Sequence, residues 1–235
     1  MASIREQIID AIVARLAIVR TTYGYATNAG ASVFRGKRNL AAADLPALVV
    51  WPGVETAARE YGKVHHDMPI RIEAFSAPGS GDFSEASESL LADVVEAMTA
   101  TQYTFAYTSG GTTAIAAGNT ITGATSGATG YVQSVTLASG TWAGGDAAGV
   151  IAFRRKTGTF AAENLNVGAL TNLATTNGTV TAYKPDTTVC GGLSTDIEYT
   201  GGGQESYPED DDTATATVAT FAIRYTNRVG NPHSA

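Results

Sequence analysis

His65-His66-Asp67 is the nearest thing in this chain to a metal-binding cluster. Consecutive strand residues point to opposite faces, so the two imidazoles cannot converge on one ion, and no second ligand pair accompanies them. A polar strand start explains them better. Glu209-Asp210-Asp211-Asp212 supplies carboxylates for calcium without the alternating ligand spacing of a calcium loop, and reads as a solvated hairpin tip. Gly79-Ser80-Gly81 precedes a helix start, where phosphates can bind. The acidic first turn (Asp82, Glu85, Glu88) and the missing lysine fit neither nucleotide fingerprint. The lone Cys190 has glycine neighbours and no nearby histidine, which describes a turn rather than an activated thiolate. With no Gly-x-Ser-x-Gly elbow and no paired catalytic acids, the expectation is a protein without catalytic activity, cofactor or metal.

Arg35, Lys37 and Arg38 form a basic cluster at the end of an expected strand. Two readings stand side by side. The cations line a solvated edge strand and block unwanted pairing, or they meet acidic residues of a neighbouring subunit around Glu205, Glu209 and Asp210. In a charge-poor stretch further on, Tyr131 and Trp142 are candidate surface aromatics; such rings stack on sugars or fill a small core.

The elements that must position these groups follow from periodicity. Ser3 with Glu6 makes a capping box, and Ile4, Ile8, Ile9, Ile12, Val13, Leu16 and Val19 give a helix with one apolar face, ending near Arg20. Arg5, Arg15 and Arg20 lie mostly off that face. Strands are expected over Ser32 to Arg38, Leu45 to Trp51 and His66 to Ala77, with Val54 to Tyr61 extending the pairing. A second capping box, Asp82 with Glu85, opens a helix built on Ala86, Leu90, Leu91, Val94, Val95 and Met98. Leu193 to Thr200 reads as a strand, Gly201-Gly202-Gly203 as a bend, and Thr213 to Val229 as a long closing strand.

Between these flanks lies a Gly/Thr-rich block, 102–189, that holds 13 of the 26 glycines and only seven charged residues. The net charge of −7 divides as −3 before the block, +1 within it and −5 after it. An acidic chain without a basic stripe is a poor DNA-wrapping candidate. The single cysteine excludes an internal disulfide. The N-terminus mixes charges without an apolar core and no apolar run reaches membrane-spanning length, so a soluble protein is expected. Ile115 to Ala124 resembles Phe160 to Ala169 at an offset of about 45 residues, suggesting two related halves.

The expected fold class is therefore α+β: two helices packed on an antiparallel sheet, formed by 1–101 with 190–235, and an inserted all-β barrel or sandwich over 102–189. Read together, the flanks resemble tail terminator proteins of long-tailed bacteriophages. The matching stretches are Ser3 to Ile9, Val33 to Gly36, Leu45 to Gly53, Ala86 to Asp93, Gly191 to Gly203, Tyr207 to Asp210 and Phe221 to Tyr225. They cover about three fifths of the chain, and their order is the signal. Within the block, Thr122 to Thr129 and Gly158 to Phe160 are similar to Gly/Thr-rich β units of other phage virion proteins.

The resemblance implies a homo-oligomeric ring, usually a hexamer, at the tail–neck junction of a virion, assembled in the host cytoplasm. Such a ring caps the tail tube, stops its polymerisation and joins the tail to the head connector. Its partners would be the tail tube protein, the neck or connector proteins and, in a contractile tail, the sheath, with genomic DNA only passing through the lumen. The Glu209 to Asp212 stretch would then line the lumen or pair with Arg35 and Lys37 of a neighbour. Other functions stay open on the sequence: a head-completion or stopper protein of the same neck, or a decoration or glycan-binding protein acting through the β insert.

Overall fold

The computed structural model describes residues 2–76, 83–206 and 216–234. In chain order the elements begin α1 (Ile4–Leu16), β1 (Val33–Arg35), β2 (Ala47–Pro52), β3 (Thr56–Glu60), β4 (Lys63–Phe75) and α2 (Phe83–Thr99). Then come β5 (Gln102–Gly110), β6 (Thr120–Gly123), β7 (Thr129–Ser139), β8 (Ala147–Thr157), β9 (Glu163–Val167), β10 (Leu170–Thr176) and β11 (Thr181–Tyr183). The chain closes with α3 (Pro185–Cys190), β12 (Ser194–Ser206) and β13 (Ala216–Arg228). Two compact units result: Met1–Arg20, Tyr25–Thr99 and Pro185–Ala235 form the first, Thr21–Gly24 and Ala100–Lys184 the second.

In the first unit, Ser3 Oγ accepts the Glu6 amide at 3.1 Å, so half of the expected capping box starts α1. The Glu6 carboxylate does not return to Ser3; it turns to Arg35. The helix stops at Leu16, short of Arg20, because the Ile18 and Val19 amides close tighter turns on Arg15 and Leu16. Gly30 lies against that end: a Cβ on it would come within 2.4 Å of the Leu16 carbonyl oxygen. Arg15, expected off the apolar face, is buried, and its Nε donates to the Ala97 carbonyl at 3.0 Å. A cation there answers a free carbonyl in the last turn of α2.

The sheet of this unit runs β1-β2-β4-β13-β12, with β3 on the far end of β4. β4 is its spine, paired over all 13 residues with β13 and, on its other side, with β2 and then β3. Pro69 sits within β4 where β2 hands over to β3. Its carbonyl accepts the Gly53 amide at 2.8 Å, so the side of the ladder on which its own N–H is missing faces the gap between those partners. The Tyr61-Gly62 link between β3 and β4 has positive φ at both residues, 46° and 83°, the geometry of a type I′ hairpin loop. The inner face (Met68, Ile70, Ile72, Phe221, Ile223) packs with the apolar sides of all three helices into one core. Gly201 to Gly203, expected as a bend, lies inside β12, whose register shifts at Tyr199/Gly201. Asp82 and residues 207–215, with part of the expected closing strand, lie outside the described residues.

The second unit is a seven-stranded sheet in the order β10-β9-β6-β7-β8-β5-β11, and β10 pairs again with β5 through Thr175 and Thr176. Its pairing follows a duplicated path. β5, β6 and β7 form one half and β8, β9 and β10 the other: β5 pairs β8, β6 pairs β9, and the third strand of each half pairs the first strand of the other. Phe105, Phe153 and Phe160 meet at its centre with ring centroids 4.9–5.6 Å apart.

The expected fold class therefore needs correcting. The chain is mostly β, 47% strand against 20% helix, in two sheets of six and seven strands with three helices among the described residues. It is not two helices on an antiparallel sheet with an inserted barrel or sandwich. β1 pairs parallel to β2, because the stretch from Gly36 to Pro46 is long enough to carry the chain back to the same end. The third helix is a six-residue turn whose Thr-rich sequence carries no helical period, though Pro185 begins it as proline does at a first helical position.

Candidate functional site

Two of the three sequence-selected cations, Arg35 and Lys37, are engaged within their own chain. Arg35, exposed on β1, forks onto Glu6, with Nη2 to Oε2 at 2.9 Å, and approaches Asp10 at 3.7 Å. That hydrogen bond lowers the Glu6 carboxyl below its ordinary value and raises the Arg35 guanidinium. Gly36, with φ of 61°, ends the strand, so Lys37 does not continue a basic strand face. Its Nζ donates to Asp44 Oδ2 at 2.6 Å and stands 3.8 Å over the Phe34 ring. The Lys37 ammonium and then the Ala41 amide lower the Asp44 carboxyl. Arg38 is exposed. Glu205 is on β12, and its side chain, like Glu209 and Asp210, lies outside the described residues.

The outer face of the six-stranded sheet carries a cross-strand charge ladder that the sequence did not suggest. Asp67, Arg224 and Asp196 are directly opposite one another on β4, β13 and β12. Arg224 Nη1 donates to Asp196 at 2.6 Å and Nη2 to Glu198 at 2.7 Å, with Asp67 3.7 Å from Nε. Opposite charges facing across strands stabilise the pairing modestly and fix register. Further along the same face, Trp51 Nε1 and Arg71 both donate to Glu73. Two shallow depressions flank these groups, about 310 Å³ beside Thr56, Asp67 and Arg224, and about 420 Å³ beside Arg71 and Gly201 to Gly203.

At the β3 end, Glu55 gathers Arg5 Nε at 3.1 Å, the Tyr225 hydroxyl at 2.8 Å and His66 Nδ1 at 3.2 Å. His66 stacks on Tyr225 with centroids 4.6 Å apart, and its Nε2 lies 3.1 Å from Asn227 Oδ1. Burial raises the Tyr225 phenol, and the bonded Glu55 carboxylate adds to that. The cluster ties α1, β4, β13 and the β2–β3 link together. His65 is exposed on the opposite face from His66, 3.8 Å from Glu60. Burial pushes the Cys190 thiol up to about 11, which leaves it protonated near neutral pH. Among the described residues no group of three or more His, Cys, Asp or Glu is arranged to hold a metal ion. No described helix is long and apolar enough to cross a membrane.

In the second unit the candidate surface aromatics are half-buried. The guanidinium groups of Arg154 and Arg155 each stand 5.0 Å from the centre of the Tyr131 ring. Trp142 stacks on Tyr107 at 5.3 Å with the planes 12° apart. Sequence reasoning passed over Glu163, which is 6% exposed and accepts from Thr125 N, Ser126 N, Ser126 Oγ and Ala161 N. Its signal was available: one of three acidic residues in a charge-poor block, and buried carboxylates require bonded partners. Asp93, which accepts the Ala26 and Thr27 amides at 3.1 and 2.7 Å, was hidden on an otherwise ordinary helix.

No protein-family model matches the chain, and no curated protein matches its sequence.

Proposed function

We propose that this chain is a virion structural protein of a long-tailed bacteriophage, a tail terminator whose ring caps the tail tube and presents it to the neck. The observation that carries the reading concerns where the matched segments come together. Ser3 to Ile9, Val33 to Gly36, Leu45 to Gly53, Ala86 to Asp93, Gly191 to Gly203 and Phe221 to Tyr225 all belong to one unit, although 85 residues from Ala100 to Lys184 separate the last two from the rest. The sheet of that unit has at one edge a 13-residue strand, β12, bonded on one side only among the described residues.

A long edge strand suits head-to-tail contact with a different surface of the next copy. A contact of that kind closes into a ring when its rotation divides a full turn. The two ends of such a ring differ, so one accepts the tube and the other stops it. The test is a phage carrying an amber codon in this gene. Overlong or head-free tails support the proposal; tails of normal length joined to heads overturn it. Native mass spectrometry of the protein with its tube partner supplies the second measurement, where a strictly monomeric chain counts against the ring.

A further inference from the structure

We propose that the second unit carries a binding site for a neutral saccharide, in a depression of about 340 Å³ floored by β7 and walled by Trp142. None of its lining residues carries a charge, which argues against phosphate or carboxylate ligands. Its volume is within the range of small-ligand pockets.

The polar group that calls for a ligand is Gln133. It lines the depression, is 5% exposed, and its Oε1 has no hydrogen-bond partner in the protein. A buried acceptor left unpaired is costly, and turning the Gln133 amide toward a ligand hydroxyl in the depression relieves it. Ser134 and Thr22 add hydroxyl groups to the same lining, while Trp142, Leu137 and Tyr23 add apolar surface. An aromatic plane for the C–H face of a pyranose, with an amide and hydroxyls for its rim, is the complement of an uncharged sugar.

The walls are held in place before any ligand arrives. The indole is stacked on Tyr107, and its loop is braced by Thr141 N to Asp146 Oδ1 at 2.8 Å and Gly145 N to the Trp142 carbonyl at 3.1 Å. The loop at Ala116 is tied to β7 through Gly118 N to Val132 O and Val132 N to Asn119 O. Thr22 and Tyr23 belong to this unit, where Arg154 donates to the Tyr23 and Gly24 carbonyls at 2.9 and 2.7 Å. A site built this way spends little of its binding energy on ordering itself.

The full chain is titrated calorimetrically with maltotriose, lactose and tri-N-acetylchitotriose, and with glucose 6-phosphate as the charged comparison. Saturable binding of at least one neutral sugar is expected, weakened about tenfold or more by Gln133→Leu and by Trp142→Phe and unchanged by Arg71→Ala on the other unit. Circular dichroism confirms that the variants fold, and Trp142→Phe keeps an aromatic ring should the larger truncation to alanine disturb the loop. No saturable binding of any neutral sugar overturns the proposal. So does binding that Gln133→Leu and Trp142→Phe leave intact, or a preference for the phosphorylated sugar.

Discussion

Glu6 Oε2 lies 2.9 Å from Arg35 Nη2, and the carboxylate that would complete a capping box on Ser3 instead joins α1 to β1. The strand cation that sequence alone offers to a neighbouring subunit is thus met by an acid 29 positions earlier in its own chain.

The first prediction follows from that pair. Glu6→Arg and Arg35→Glu should each lower the melting temperature, and the charge-swapped double variant should recover most of the loss. Both side chains are well exposed, so the effect should be small and shrink in high salt. Thermal melts of the four proteins at low and high salt make the measurement. Additive losses in the double variant would show that the two groups do not stabilise each other.

A second prediction concerns the β3–β4 hairpin. Tyr61 is 99% exposed and holds φ of 46°, a left-handed conformation that bulky residues adopt at a cost. Tyr61→Asn puts the favoured Asn-Gly pair into the type I′ loop and sacrifices no packing. The first unit should gain about 0.5–1 kcal/mol. Urea unfolding followed by Trp51 fluorescence in a Trp142→Phe background reads that unit alone, and an unchanged or lower midpoint would contradict the argument.

Glu163 gives a pH prediction. Burial by itself would raise its carboxyl, but the bonds from Ser126 Oγ and from the Ala161, Ser126 and Thr125 amides outweigh burial and bring it to about 2. The folded value lies below the unfolded one of about 4.3, so the group's stabilisation is complete above that unfolded value. It is lost as pH falls toward 2. Glu163→Gln should cost the second unit about 2–3 kcal/mol at neutral pH, because an amide presents N–H groups where the carboxylate met donors. The variant should also flatten the acid limb of stability, read by Trp142 fluorescence in a Trp51→Phe background. An identical acid limb in both proteins would remove Glu163 from the account.

What was legible in the sequence follows a pattern of residue chemistry. Ile4, Ile8, Ile9, Ile12 and Leu16 announce α1 because every one of them is buried on a single helical face. Ala47 to Val50 announce β2 because a run of apolar residues marks a strand buried on both sides. The burial of Arg15 is not legible in the sequence, because an arginine stem can be buried when its head finds a carbonyl, and that carbonyl is 82 residues away. The parallel pairing of β1 and the helix α3 were hidden for a related reason. Neither three strand residues nor six helical ones are enough to display a period. The depression around Gln133 is assembled from residues near 22, 116, 133 and 142, and no local spacing encodes such a meeting.

The last prediction uses α3 to decide where the low-charge block can be removed. Val189 and Cys190 are fully buried and belong to the core of the first unit, together with Ile8, Met98 and Phe221. An excision of 102–189 through a Gly/Ser linker therefore deletes a core side chain and most of a helix, while an excision of 102–184 leaves α3 intact. Loss of a buried valine alone should cost about 2 kcal/mol, and losing the turn that holds it adds to that. The shorter excision should give a cooperative urea transition by Trp51 fluorescence, and the longer one a lower midpoint or no transition. Equal stability of the two would mean that α3 contributes nothing to the core. Failure of the shorter excision to fold would show that the first unit does not stand without the second.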